Sequence, residues 1–244
     1  MDQEIRFDPG TEEILLDLVP REPAVVDYRL AEEVVPRRGL VEASLWQIAV
    51  KRGIDIVASL LAIVILTPLL LAVALLIRLT SRGPVFYVQE RVGRGGEPFR
   101  MVKFRSMYRD AHERRGEHVE QNMHQGPIFK IRDDPRITPV GKAIRRLSID
   151  ELPQFLNVLV GNMSLVGPRP ALPEEFLDYT ERERGRLLVK PGVTCIWQVS
   201  GRSDVDFDTW IDMDLEYIED WSLGLDLKLL AKTVPAVISG RGAY

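Results

Sequence analysis

Two adjacent carboxylates, Asp150 and Glu151, stand in the stretch RRLSIDELPQFLNV (residues 145–158), behind Arg145 and Arg146 and ahead of Pro153. Acids so placed either cap a helix or do chemistry. The chemistry open to an ionised carboxylate is nucleophilic attack or the holding of a metal ion. Cations suited to phosphate lie on both sides of them in the chain. In FRMVKFRSM (residues 99–107) strand alternation sets Lys103 and Arg105 on one face and Val102 and Phe104 on the other. Such a basic row suits a phosphate wall and equally a solvated sheet edge. Arg169 sits between Pro168 and Pro170, so its backbone is fixed from both sides. A guanidinium held that rigidly suits bidentate phosphate binding, or it is an arginine in a rigid turn.

Other chemical signals fail on spacing. His112, His118 and His124 are scattered around any helix that carries them and form no metal site. Asp204, Asp206 and Asp208 resemble a calcium loop, but Thr209 stands where glycine is needed and Leu215 where glutamate is needed. Asp204-Val205-Asp206 also matches a short acidic motif of many nucleotide-sugar enzymes, a weak signal. The glycines within residues 93–96 are not followed by Lys-Ser/Thr and form no Walker loop.

The elements that must position these groups follow from periodicity. Leu152, Phe155, Leu156 and Leu159 recur at helical spacing behind the acid pair. A Ser148-x-x-Glu151 capping box would put Pro153 at the fifth helical position, where its missing N–H loses a bond. Asp150 as N-cap puts Pro153 at the third, where no intrahelical partner exists to lose. The second register is expected. PVFYVQERVG (residues 84–93) and PFRMVKFRSM (residues 98–107) read as strands about a glycine-rich turn. Residues 108–121, 174–188, 209–221 and 226–238 read as helices, and GVTCIWQVSG (residues 192–201) as a strand. Residues 1–40 hold four prolines and many acids without sustained periodicity, which predicts an extended segment with one short helix at 12–19.

From residue 56 to 77, IVASLLAIVILTPLLLAVALLI, 22 consecutive residues carry no charge. As a helix the run is roughly 33 Å long, enough for a bilayer core. Lys51 and Arg52 precede it, with Arg37 and Arg38 further back; Arg78 and Arg82 follow, with Arg91 and Arg94 beyond. Basic flanks mark cytoplasm, and one spanning helix cannot place both there. Pro68 removes the bond to the Val64 carbonyl and biases Thr67 away from helical dihedrals. A break at Thr67-Pro68, with Thr67 helping to satisfy the freed groups, would return the chain to the same face. A kinked spanning helix is the other reading.

The net charge of −4 conceals an asymmetry: −6 over residues 1–45, +8 over 46–170 and −6 over 171–244. A basic middle in an acidic chain suits nucleic acid, anionic lipid or a phosphorylated substrate. The membrane segment argues against nucleic acid. One cysteine, Cys195, excludes an internal disulfide, and no Cys/His cluster has zinc spacing.

Read together, KRGIDIVAS, the Thr67-Pro68 pair, GPVFYVQERVG, FRMVKFRSM, DDPRITPVGKAIRRLSIDELPQFLNVLVGNMSLVGPRP, KPGVTCIWQVSGR and YIEDWSLGLDLKLLAKTV resemble the monotopic phosphoglycosyl transferases of bacteria, the bacterial sugar transferase family. The likeness runs from about residue 51 to 238. Cys195 departs from it, where members usually have a small residue such as glycine. Larger members carry four membrane helices ahead of this region; here there is an acidic extension, so the chain is a short form or a truncated one.

The resemblance implies that a UDP-sugar gives its sugar 1-phosphate to a polyprenyl phosphate (undecaprenyl phosphate), releasing UMP, with Mg²⁺ required. This is the first membrane step of exopolysaccharide, capsule or O-antigen assembly. It makes Asp150 the nucleophile of a covalent aspartyl-phosphosugar intermediate, and a helix start would keep that carboxylate ionised. Two like charges 4 Å apart repel by about 4 kcal/mol at an effective dielectric of 20, so cations must offset the phosphates. Mg²⁺ is assigned to Asp150 and Glu151, and phosphate binding to Lys103, Arg105, Arg145 and Arg169. Gln198 and Arg202 are weaker candidates for the nucleotide-sugar.

The expected architecture is α+β: a mostly helical monotopic membrane protein with a re-entrant helix-break-helix segment and a small β element. Residues 1–43 form the acidic extension, 44–80 the membrane helix and 81–244 a catalytic domain on the cytoplasmic face of the inner membrane. The partners are the UDP-sugar, the polyprenyl phosphate and the membrane, with no nucleic acid; a homo-oligomer is left open, and no residue names the sugar. A catalytically inactive membrane-anchored scaffold of the same fold is the alternative. A soluble-sugar glycosyltransferase using the Asp204 motif leaves the membrane segment unexplained.

Overall fold

The computed structural model describes residues 39–111, 113–114, 131, 133–200 and 206–240. Among these the chain is mostly helical with two small two-stranded sheets. The expected helix at 12–19, His112, His118, His124, Arg202 and Asp204 lie outside the described residues.

Helix α1 (Leu45–Thr80) is the described helix long and apolar enough to cross a membrane. Its middle turns expose Leu60, Leu61, Val64, Ile65 and Leu71, a surface suited to lipid. Its first turns dock by polar contacts. Lys51 Nζ donates to Asp226 Oδ2 (2.6 Å), the Val166 carbonyl (3.1 Å) and the Tyr217 hydroxyl (3.2 Å). Asp55 accepts from Ser164 Oγ and the Leu165 N–H. Its last turns dock by packing, with Val73 and Ile77 buried against Phe104 and Ile144. The expected break at Thr67-Pro68 does not divide this segment: helical backbone runs through Pro68. A proline forfeits its own N–H bond, and the Thr67 hydroxyl meets the Ile63 carbonyl at 2.7 Å beside it.

Strands β1 (Phe86–Val92) and β2 (Pro98–Phe104) pair antiparallel with Gln89 opposite Met101, close to the expected strands. The turn between them uses Gly95 and Gly96 at φ of 81° and 80°, which a side chain would strain. Asn157 supplies the other edge of β2. Its Oδ1 accepts from the Val102 N–H (3.0 Å) and its Nδ2 donates to the Arg100 carbonyl (2.6 Å).

Helix α2 (Pro139–Arg146) is capped by Thr138, whose hydroxyl accepts from the Gly141 N–H. Ser148 then takes φ 52°, the one non-glycine residue with positive φ among those described. A 3₁₀ turn follows at Ile149–Glu151, and α3 (Gln154–Val160) begins after Pro153. Asp150 is therefore not the N-cap of α3. Pro153 itself stands in the capping position, where a missing N–H costs nothing, and the acids occupy the tighter turn before it.

Strand β3 (Ser164–Val166) leads into α4 (Pro173–Leu177) and α5 (Glu181–Arg184). The single helix expected over 174–188 is thus split, because Thr180 caps a new start by accepting from the Glu183 N–H. Strand β4 (Gly192–Thr194) lies parallel to β3. The remainder of the expected strand is α6 (Ile196–Ser200), turned so that Trp197 stacks on Trp210 with ring centroids 4.2 Å apart. Helices α7 (Phe207–Glu219) and α8 (Leu223–Ser239) match expectation. Of the helix expected at 108–121, residues 108–111 form a turn and most of the rest is outside the described residues. The main core gathers Val158, Met163, Val166, Ile211, Tyr217 and Ile218 between these elements.

Candidate active site

The 3₁₀ turn buries Asp150, half-buries Glu151 and gives the two acids different company. Glu151 Oε1 lies 2.7 Å from Lys103 Nζ on β2 and 3.5 Å from Arg169 Nη1. The Asp150 carboxylate, 9% exposed, accepts no hydrogen bond from any other described residue. Burial, then the neighbouring Glu151, pushes the Asp150 carboxyl up to about 6, against the pull of Lys103 and Arg145. Burial pushes Glu151 up too, but Lys103 and Arg169 outweigh it and hold that carboxyl down at about 2. The pair is thus split into a neutralised acid and an open one. This revises the expectation that a helix start keeps Asp150 ionised: its environment works against ionisation.

Lys103 and Arg169 are brought together at Glu151, and Arg145 acts on Asp150 from the last turn of α2. Arg169 also lies 5.8 Å over the Trp197 ring. Gln198, half-buried on α6, accepts from the Cys195 thiol (3.2 Å). Burial pushes that thiol well up, so it is an inert packing group. Arg91 was missed as a site residue. Buried on β1, it donates to the Pro170 carbonyl (3.0 Å) and adds positive charge near Glu151. In sequence it reads as a flank charge of the membrane segment, and strand periodicity carries no signal of its contact with residue 170.

Arg105 faces elsewhere. It follows the last residue of β2, where alternation no longer governs. Its guanidinium donates to the Arg82 carbonyl (2.8 Å), the Ser81 carbonyl (2.9 Å) and Ser81 Oγ (2.7 Å). Gly83 permits this approach, since a Cβ there would meet Arg105 Nη1 at 2.1 Å. The arginine closes the end of α1. Arg105→Ala is expected to cost about 2–3 kcal/mol of stability, since hydrogen bonds from a charged donor are lost from a buried site. Activity per folded molecule should stay within about twofold, as for a residue off the reaction path. A fall in kcat at unchanged melting temperature would return Arg105 to the phosphate wall.

No group of three or more His, Cys, Asp or Glu residues converges among the described residues. Mg²⁺ commonly takes one or two carboxylates and completes its shell with waters and substrate phosphates. Asp150 and Glu151 fit that mode, with Asp150 as the open ligand. An oxygen nucleophile or metal ligand amid four cations is an arrangement for phosphate chemistry.

The sequence pattern of the family described as bacterial sugar transferase matches residues 46–240. The chain belongs to that family. It is 40% identical over 198 residues to the exopolysaccharide production protein ExoY of Sinorhizobium fredii, covering 80% of this chain and 88% of that protein. It is 43% identical over 203 residues to the undecaprenyl-phosphate galactose phosphotransferase of Salmonella typhimurium, covering 80% of this chain and 41% of the relative. With the galactosyl transferase CpsE of Streptococcus agalactiae it shares 44% over 194 residues, 79% of this chain and 43% of the relative. The chain thus spans less than half the length of the last two relatives and most of the first.

Proposed function

We propose that this chain transfers a sugar 1-phosphate from a UDP-sugar to a polyprenyl phosphate, as an initiating step of surface-glycan assembly at the cytoplasmic face of the inner membrane. The observation that carries the mechanism is an Asp150 carboxylate that accepts no hydrogen bond from any other described residue, beside a Glu151 whose charge is already offset by Lys103 and Arg169. An Asp150 carboxylate oxygen attacks the phosphorus that bears the sugar. The bond from that phosphorus to the UMP oxygen breaks, UMP leaves with the electron pair, and an aspartyl phosphosugar remains. An oxygen of the polyprenyl phosphate then attacks the same phosphorus and the carboxylate departs. The lipid phosphate is an anion near neutral pH, so the second step needs no base. Arg169 offers a planar fork to the diphosphate, and Lys103 and Arg145 offset its charge. When bound at Asp150 and Glu151, Mg²⁺ supplies further neutralisation of the phosphates.

The relatives' names support the reaction class, and mass spectrometry tests the route. Enzyme given UDP-sugar without lipid should release UMP and gain the mass of a sugar phosphate. UMP release that depends strictly on added lipid, with no adduct, would overturn it.

The same proposal makes α1 re-entrant, with a bend at Pro68 inside the continuous helix in place of the expected break. A straight helix over residues 51–77 is about 39 Å long, yet Lys51 and Ile77 both pack on the domain that holds the site. A domain on one side of a roughly 30 Å hydrocarbon core cannot touch both ends of a crossing helix. Cysteines introduced before Lys51 and after Arg82 should therefore be labelled from one side of the membrane. Labelling from opposite sides would make α1 a crossing helix.

A further inference from the structure

Arg169 stands in a loop that cannot organise itself. Pro168 and Pro170 have no N–H, so the carbonyls here must be met from outside the loop. Four consecutive carbonyls are met in this way, that of Pro168 by the Gly192 N–H (2.8 Å). The Arg169 carbonyl accepts from Arg186 Nη2 (2.9 Å), that of Pro170 from Arg91 Nη1 (3.0 Å), and that of Ala171 from the Val92 N–H (2.9 Å). Arg186 is itself fixed: its Nη1 donates to the Tyr179 hydroxyl (2.9 Å) and its Nη2 pairs with Asp214 Oδ2.

The Arg186 and Asp214 side chains are 4% and 1% exposed. A pair so deeply buried is weak as a source of stability, because desolvation cancels much of the attraction. What it does provide is geometry. Asp214 lies on α7 one turn after Trp210, and Trp210 stacks on Trp197, whose ring lies under the Arg169 guanidinium. Helix α7 therefore reaches Arg169 twice: its backbone through Asp214 and Arg186, and its side chain through the two tryptophans.

We propose that Arg186 and Asp214 are positioning residues for Arg169, so that α7, which holds no reacting group, sets the direction of the guanidinium that meets the diphosphate. The kinetic consequence rests on the function proposed above; the structural claim does not. Tyr179 belongs to the same device through the hydroxyl that anchors Arg186.

A mutant cycle tests this. Asp214→Asn is expected to lower kcat/KM for the UDP-sugar about tenfold, a coupling usual within one buried network. In an Arg169→Ala background the same change should alter kcat/KM by less than about twofold, whatever it does to melting temperature in either background. Tyr179→Phe, a gentler change that keeps the ring packed, should show the same pattern at about threefold. Losses that multiply in the Arg169→Ala background would overturn the proposal.

A second readout is independent of the reaction. The Arg169 Nε–H resonance, identified by its loss in Arg169→Ala, should shift in both Asp214→Asn and Tyr179→Phe protein labelled with ¹⁵N-arginine. An unmoved resonance in folded variants overturns the positioning role. A wild-type enzyme that releases no UMP overturns the functional reading instead, and the resonance then decides this one alone.

Discussion

Asp150→Asn should fold as the wild type does and release no UMP, with or without polyprenyl phosphate, a loss of at least about 10³-fold. Asparagine keeps the size of the side chain and takes away the oxygen nucleophile. The same change should raise stability at neutral pH. Burial and Glu151 push the Asp150 carboxyl from its ordinary 3.8 up to about 6, so the folded protein holds that proton more tightly than the unfolded chain. The stabilisation from this group is complete below about 3.8 and is lost as pH rises through about 6. At pH 7 the folded state therefore carries an ionised, buried carboxylate at a cost on the order of 3 kcal/mol, which asparagine removes. Melting temperatures of the two proteins should differ most at pH 7 and converge at lower pH, while wild-type activity falls as pH drops through about 6. An Asp150→Asn enzyme that still released UMP when lipid was added would place the nucleophile elsewhere. Asp150 would then be a metal ligand.

The sequence allowed the acid pair, the basic Lys103 and the rigid Arg169 to be read, because each depends on neighbours within a few residues. The hairpin was equally legible, since alternation and a glycine turn are local. What failed depended on where a local rule stops. Alternation put Arg105 beside Lys103, but β2 ends at Phe104 and Arg105 turns to the end of α1. Capping rules offered two registers for one helix, whereas the chain makes a 3₁₀ turn first and starts α3 after Pro153. The prolines of the loop at 168–170 are plain in the sequence, and the outside donors that meet its carbonyls are not. Arg91, Arg186 and Asp214 join the site through contacts that span 17 to 79 residues, and no periodicity carries such separations. The membrane segment was legible as a segment, because apolar length is a local property, but Pro68 proved too weak a signal to end the helix.

Lys103→Met tests whether the split between the two acids is what makes one of them a nucleophile. Lys103 Nζ and Glu151 Oε1 are 2.7 Å apart, with side chains 13% and 18% exposed. Burial lowers the Lys103 ammonium pKa, and Glu151 opposes that shift. Methionine fills the same space and removes the charge. Glu151 then keeps Arg169 at 3.5 Å as its one remaining ion-pair partner among the described residues, and its carboxyl must rise from about 2. Its depressed value had stabilised the fold above the ordinary 4.5, an effect lost as pH falls towards 2. Lys103→Met loses that stabilisation at every pH above this window, and breaking a buried pair costs about 3–5 kcal/mol. Asp150 must rise as well, because Lys103 is the first cation that holds it down. Raised above its present value of about 6, the carboxyl is less ionised at pH 7, and its protonated fraction does not attack. Activity at pH 7 should fall about 10²–10³-fold through lost nucleophile and lost phosphate compensation together. Raising the pH separates them. The nucleophile returns as pH climbs through the new Asp150 value, so the acid limb of the rate profile should move upward and part of the loss should be recovered by pH 9. The missing ammonium does not return, so recovery stops short of wild type. An acid limb that stayed near 6 would mean that Lys103 acts on the substrate phosphates alone, and that Glu151 and Asp150 do not divide their charge through it.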